Sequence, residues 1–270
     1  TFAAVIMLPT VILNSAYWGQ CDSIYTTFII LTLLYLYREK YHRAFMFLGI
    51  AFAFKMQTIF IFPFIICFYI YKKQFSIFEL LITVFTFWIS GIGAFVQGRS
   101  LLDPFRIYAN QTGTYQYMHV NFPSFWMFVG NDYEWLKTAA IVMAAGICGM
   151  GLYIIMKRKL DCSRPENFVS IASWFIWTCV LFLPAMHERY AYPLEILLVI
   201  LTCINKDYLK YSSVAILFSL FTYGNYLFSN GGLDKYIVII YAGCYLHFTY
   251  TILKKNSKAA TVTDKEMQNE

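Results

Sequence analysis

The chain has 270 residues, of which 59% are hydrophobic, 20% aromatic and only 13% charged, with a formal net charge of +6. Soluble domains sit at roughly 45–50% apolar and about 25% charged, so this composition excludes an ordinary water-soluble enzyme, and a disordered chain with it. The excess positive charge falls in short clusters between apolar runs, which is the pattern of membrane topology and gives no reason to expect a nucleic-acid partner.

Taken in chain order, the apolar runs predict an all-α polytopic transmembrane bundle of about ten spans within residues 1–253. They lie at 1–13, 24–37, 44–54, 59–71 and 77–97, then at 136–156, 168–186, 191–204, 211–228 and 236–253. The opening run has no basic leader or small-residue cleavage site, so it is not a signal peptide. Several runs are shorter than the roughly 20 residues of a full helical crossing. Runs 44–54 and 59–71, joined only by Lys55-Met56-Gln57-Thr58, read either as parts of longer helices or as a re-entrant hairpin buried in protein. Residues 254–270 are polar and aperiodic and read as a disordered tail.

Lys and Arg divide unevenly over alternate loops. Fifteen, including Arg38, Lys40, Arg43, Lys72, Lys206 and Lys254, fall on one side; six, Lys55, Arg99, Arg106, Lys137, Arg189 and Lys235, fall on the other. The positive-inside rule then puts the carboxyl tail in the cytoplasm. Segments 14–23, 98–135 and 187–190, and the Lys55 turn, face the opposite side. The loop 98–135 is long and aromatic, either a folded substrate lid or a connector in the interfacial belt. It carries the N-glycosylation sequon Asn110-Gln111-Thr112, which matters only in a eukaryotic secretory compartment.

Three polar constellations interrupt the apolar pattern. In the first, Asn14-Ser15-Ala16-Tyr17-Trp18-Gly19-Gln20-Cys21-Asp22-Ser23-Ile24-Tyr25, an indole can stack on a pyranose while Gln20 and Asp22 bind its hydroxyls. Equally, Asp22 or Ser23 can cap the next helix and Trp18 can anchor at the interface. In the second, Lys55-Met56-Gln57, the lysine either meets a phosphate or snorkels to the interface. The third, Met186-His187-Glu188-Arg189-Tyr190-Ala191-Tyr192-Pro193-Leu194-Glu195, packs four consecutive polar residues between two apolar runs. On a helix, Glu188, Tyr192 and Glu195 would share one face. The seven cysteines have no metal-ligand spacing and read as small packing residues. Ala140, Ala144, Ala145 and Gly149 read as a helix-packing stripe. Neither a metal site nor a cofactor is expected.

In this order and spacing, the Trp-Gly-Gln-Cys-Asp series, Phe54-Lys55-Met56-Gln57 with Pro63 following, and the His-Glu-Arg-Tyr series resemble bacterial membrane mannosyltransferases related to the second mannosyltransferase of GPI-anchor biosynthesis, members of the GT-C glycosyltransferases. The resemblance covers about residues 5–200. It implies a GT-C-like fold and an inverting transfer of a sugar, mannose, at the extracytoplasmic face. The implied partners are a polyprenyl-phosphate sugar donor, a glycan or lipid-linked acceptor and membrane lipids. The membrane would be a bacterial cytoplasmic membrane, with the endoplasmic reticulum as the alternative. Asp22 and Glu188 are then the candidate catalytic carboxylates, Asp22 chiefly for substrate positioning. Trp18, Gln20, Tyr25, Lys55, Gln57, His187, Arg189 and Tyr190 are the candidate substrate-binding residues, with Lys55, His187 and Arg189 as cations for the leaving phosphate. GT-C enzymes usually carry their catalytic carboxylate in a first outer loop, which is expected to lie upstream of Thr1. A polysaccharide polymerase or glycan flippase would share the spans, and a secondary transporter remains a third class.

Overall fold

The computed structural model describes the backbone of residues 2–111, 114–229 and 235–267, and side chains within 3–111, 114–229 and 235–255. Thr112 of the sequon lies outside the described residues, as do 268–270. The chain is mostly helical, as the apolar patterning predicts.

The first apolar run is not one helix. It divides into α1 (Phe2–Ile6), α2 (Pro9–Val11) and a π-helical segment, Ile12–Tyr17. Pro9 causes the break: it lacks an N–H and forces the residue before it out of the helical region, leaving Leu8 extended at φ −64°, ψ 128°. α3 (Asp22–Tyr37) and α4 (Tyr41–Phe54) then form an antiparallel pair around a tight turn in which Glu39 takes a φ of 58°. Lys55 is extended, and the chain re-enters as a 3₁₀ turn, Met56–Ile61, followed by α5 (Phe62–Lys72) with Pro63 in its first turn, where a missing N–H costs nothing. The run expected at 77–97 also divides, into α6 (Glu79–Ile89) and α7 (Ile92–Val96). The bend falls at Gly91, where an added Cβ would stand 2.9 Å from the Phe95 ring.

Loop 98–135 is folded. It contains α8 (Asp103–Gln111), the short strand β1 (His119–Val120) and a 3₁₀ turn, Phe125–Phe128. After α9 (Tyr133–Lys157) and α10 (Pro165–Phe182), the strand β2 (Met186–His187) pairs in parallel with β1, placing His119 opposite Met186 and Val120 opposite His187. α11 (Tyr192–Ile204), α12 (Leu209–Phe228) and α13 (Lys235–Met267) complete the chain. α13 continues through 254–267, where the sequence reads as a disordered tail. No Gly or Pro interrupts that stretch, and Ala, Lys, Glu and Met favour helical backbone.

α10 and α11 form the centre of the core. Nearly every residue of α10 from Asn167 to Leu181 is buried, as is α11 from Tyr192 to Val199. A helix apolar all round has to be surrounded, and α3, α5, α9, α12 and α13 pack around this pair. α4 meets α6 closely at Gly49, where a Cβ would fall 2.6 Å from the Thr83 carbonyl oxygen. Thr83 Oγ1 donates to the Phe45 carbonyl at 2.9 Å beside that contact. The cysteines are free, and Cys67, Cys162 and Cys179 are buried as packing residues.

Two helices, Tyr133–Lys157 and Lys235–Lys255, are long and apolar enough to cross a membrane. Asp22–Tyr37, Tyr41–Phe54, Met56–Lys72, Glu79–Ile89 and Tyr192–Ile204 are shorter apolar helices. The helices run between two polar ends. At one, Tyr37 Oη donates to the Ser163 carbonyl at 2.7 Å, His42 lies 2.7 Å from Glu79, and Lys255 lies 2.9 Å from Glu166. At the other, the three constellations meet.

Candidate anion and carbohydrate site

The π-helical winding of Ile12–Tyr17 brings the first constellation into register. Trp18 N–H donates to the Leu13 carbonyl and Gln20 N–H to the Asn14 carbonyl, each at 2.9 Å. Gly19, at φ +68°, turns the chain between them in a conformation that a side chain would strain. α3 then begins at Asp22, with Cys21 as its N-cap residue and no side-chain cap. Neither Asp22 nor Ser23 serves as the cap. The Asp22 carboxylate instead turns inward, where Asn14 Nδ2 donates to Oδ2 at 2.9 Å and Lys55 Nζ donates to Oδ1.

Lys55 reaches Asp22 because α4 ends at Phe54 and the extended backbone at Lys55, φ −157°, ψ 132°, projects its side chain sideways. Its ammonium also lies 5.5 Å from the Tyr25 ring centroid and 6.0 Å from that of Tyr190. Desolvated cations gain from such aromatic faces.

The third constellation is a strand and a turn. Ala185, at φ 58°, reverses the chain after Pro184, and its N–H donates to the carbonyls of Tyr117 and Met118 at 3.1 and 3.0 Å. β1 therefore clamps Met186–His187, and Glu188 lies ahead of α11 instead of on it. The predicted helical face of Glu188, Tyr192 and Glu195 does not form. Glu195, one turn into α11, is fully buried and accepts from Ser219 Oγ of α12. Thr222 Oγ1 donates to the Glu188 carbonyl at 3.3 Å, tying the turn to the same helix.

Arg189 closes the cluster. Its Nη1 donates to Glu188 Oε1 at 2.8 Å, its Nε stands 3.9 Å from Asp22 Oδ2, and its guanidinium covers the Trp18 ring at 5.0 Å. Trp18 is backed by Tyr226 and Tyr223 of α12, at ring-centroid distances of 4.9 and 5.8 Å. The result is a chain of alternating charge, Glu188, Arg189, Asp22 and Lys55, drawn from three separate segments. The two carboxylates are 0% exposed, whereas the Lys55 and Arg189 side chains are 13% and 20% exposed.

That difference orients the cluster. A cavity of about 520 Å³ is walled by Lys55, Arg189, Gln20, Gln57 and Tyr190, with Tyr108, Tyr115 and Tyr133 contributed by the folded loop and the start of α9. Among the described lining residues there is no carboxylate. Asp22 and Glu188 stand behind the cations and do not line the cavity. Each pairs with a cation that lines the cavity, and burying either cation without its partner would be costly. Tyr25 and Trp18 likewise support Lys55 and Arg189 from behind. His187 is 6% exposed and stacked edge-on by Tyr115 at 4.3 Å; its Nδ1 is 3.7 Å from Glu188 Oε2. His187 therefore braces the turn instead of lining the cavity.

Burial pushes the Tyr190 phenol up to about 12. Tyr190 thus keeps its proton near neutrality and offers the cavity a donor. The contributions of Asn14, Ser219 and Tyr115 carry no sequence signal beyond a polar residue near an apolar run, because their partners are distant in the chain. Glu195, a carboxylate inside such a run, is visible on its own, and its partner is not.

A second, apolar groove of about 400 Å³ lies between α5, α9 and α10, lined by Pro63, Ile66, Ala145, Gly149 and Leu152 among others. Ile59 and Phe60 belong to both walls, so the groove and the polar cavity adjoin. Of the small residues expected to form a helix-packing stripe, Ala140 and Ala144 are buried, while Ala144, Ala145 and Gly149 border this space. No protein-family model, curated protein or solved structure matches the chain.

Proposed function

We propose that this chain acts as a polytopic membrane glycosyltransferase that moves a sugar, mannose by the motif resemblance, from a polyprenyl-phosphate carrier to a glycan or lipid-linked acceptor on the extracytoplasmic side, with inversion. The observation that carries the reading is the pairing of Lys55 and Arg189 on the wall of one cavity, each held from behind by a buried carboxylate. Leaving-group departure from a glycosyl phosphate builds negative charge on phosphate oxygens, and preorganised cations in a site shielded from water stabilise that charge most effectively. The guanidinium supplies directed donors and the ammonium a movable point charge.

The rest of the wall suits a sugar. Gln20 and Gln57 each offer an amide donor and acceptor to hydroxyls, and the tyrosine rings offer faces to the C–H surface of a pyranose. The adjoining apolar groove supports a lipid carrier, since a phosphate in the cavity would leave its hydrocarbon tail beside Ile59 and Phe60. The described wall has no carboxylate to accept the acceptor's proton, so these residues bind the donor and stabilise its leaving group, and the base is a separate group. Further support for a multi-span arrangement comes from the geometry of the two ends, because basic residues gather at the end away from the cavity, the distribution that the positive-inside rule describes for a cytoplasmic face.

The test is transfer from synthetic polyprenyl-phosphate mannose by the full-length protein in lipid nanodiscs, with the anomeric configuration of the product read by NMR. Inverted product is expected. A folded protein that transfers none of a panel of polyprenyl-phosphate sugars, to any of a panel of lipid-linked acceptors, would overturn the reading.

A further inference from the structure

The end of the bundle opposite the sugar cavity holds a second large polar groove, of about 770 Å³, between α12 and α13. Its walls include Lys206, Lys210, Lys254 and Lys255, against the single lining carboxylate Asp207. Lys255 is already engaged, 2.9 Å from Glu166 and 3.0 Å from Asp207. Among the described residues, Lys206, Lys210 and Lys254 have no carboxylate partner. Lys210 and Lys254 rest on the Tyr211 and Tyr250 rings at 5.0 and 5.6 Å, which orients them without neutralising them. Lysines brought to one groove from the 3₁₀ turn Lys206–Tyr208, α12 and α13 repel one another, and an anion between them relieves that repulsion.

His247 and Thr251 of the wall are hydrogen-bonded from behind by Tyr211. Tyr211 Oη lies 2.9 Å from His247 Nδ1 and 2.6 Å from Thr251 Oγ1, and Ser213 joins the wall. The level of the groove along the helices identifies its occupant. Lys254 and Lys255 stand where the apolar stretch of α13 ends, and Lys206 and Lys210 stand just before and just inside the start of α12, so the four lysines share the boundary at one end of the two helices. From that boundary α12 rises roughly 30 Å over its 20 residues, about one hydrocarbon thickness, toward the sugar cavity. Leu209, Leu217 and Leu246 are exposed on the same two helices. A phosphate at the lysines therefore has open apolar surface available for acyl chains, which a free phosphate does not use.

We propose that this groove is a binding site for the phosphate headgroup of an anionic membrane lipid. The inference rests on α12 and α13 lying in a membrane and not on sugar transfer: a chain that retains anionic lipid but transfers no sugar would leave it standing. A basic residue near an anionic lipid surface contributes about fivefold in affinity, so three contribute on the order of a hundredfold.

The test uses the full chain purified in detergent, with phosphatidylglycerol or phosphatidylcholine added at equal concentration and bound lipid counted by native mass spectrometry. Phosphatidylglycerol is expected to be retained in preference. The K206Q/K210Q/K254Q variant, which spares the Lys255 pairing, is expected to lose its phosphatidylglycerol affinity by on the order of a hundredfold while phosphatidylcholine binding and the unfolding temperature stay unchanged. The corresponding arginine variant is expected to restore it. Equal retention of the two lipids, unchanged phosphatidylglycerol binding in the glutamine variant, or displacement by inorganic phosphate at matched concentration would each overturn the proposal. Should the triple variant fail to fold, K210Q and K254Q carry the same test singly, each with an expected loss of about fivefold.

Discussion

Arg189 is where the structure separates a role in chemistry from a role in folding. Arg189→Lys keeps the charge but removes the planar fork that joins Glu188, Asp22 and Trp18 in one arrangement. Two effects follow, of different kinds. The charge-assisted bond to Glu188 contributes about 1.5–3 kcal/mol, and a lysine recovers only part of it. With a loss of 1 kcal/mol moving Tm by roughly 2–4 °C for a chain of this size, a fall of several degrees is expected. Leaving-group stabilisation is a separate loss. Removing a preorganised donor from a developing charge typically costs about 2.7–4 kcal/mol, or roughly a hundred- to thousandfold in kcat. Glu188→Gln supplies the control, since Glu188 is fully buried, lies off the cavity wall and loses only its charge. In a double-mutant cycle, both single variants are expected to lose stability, with coupling between them. Only Arg189→Lys is expected to lose transfer per folded molecule to the full extent. If both variants lose transfer equally, or if Arg189→Lys transfers normally once corrected for folded fraction, Arg189 does not hold the phosphate and the reasoning fails.

Asp22→Asn keeps the shape of the fully buried side chain but removes the negative charge between Lys55 and Arg189. A loss of about 3–5 kcal/mol is expected, read as a lowered Tm in detergent; an unshifted Tm would show that the carboxylate does not anchor the cations. The two ends of the bundle are testable by accessibility: in a Cys-depleted background, cysteines replacing Tyr117 beside the cavity and Lys159 at the far end should label from opposite sides of the membrane, and labelling of both from one side would defeat the topology.

Much of this molecule is legible in one dimension. A composition this rich in aliphatic and aromatic residues can fold only by burying them against one another or in lipid, and the long apolar runs in which they fall read as helices, which is the class the structure shows. The main helices α3, α4 and α9 to α12 sit within a few residues of the apolar runs that predict them, because an uninterrupted run of good helix formers needs no distant partner to choose its backbone. Two runs mislead for a local reason: Pro9 and Gly91 break what hydropathy reads as continuous. The polar constellations are legible as well, since Asp22, Lys55 and Glu188 would be costly in an apolar setting without partners.

Which partners they take is a matter of tertiary structure. Asp22 and Lys55 are 33 residues apart in the chain and form one ion pair, and Arg189 joins them from the far side of α10. No periodicity encodes that meeting; it depends on α4 returning to the level at which α3 begins and on β1 clamping the turn after α10. Orientation was also beyond the sequence. Carboxylate and cation are equally polar in a hydropathy reading, yet in the folded chain the carboxylates lie buried and the cations reach the cavity, because the short acidic side chains end inside the bundle while the longer lysine and arginine side chains extend to its wall.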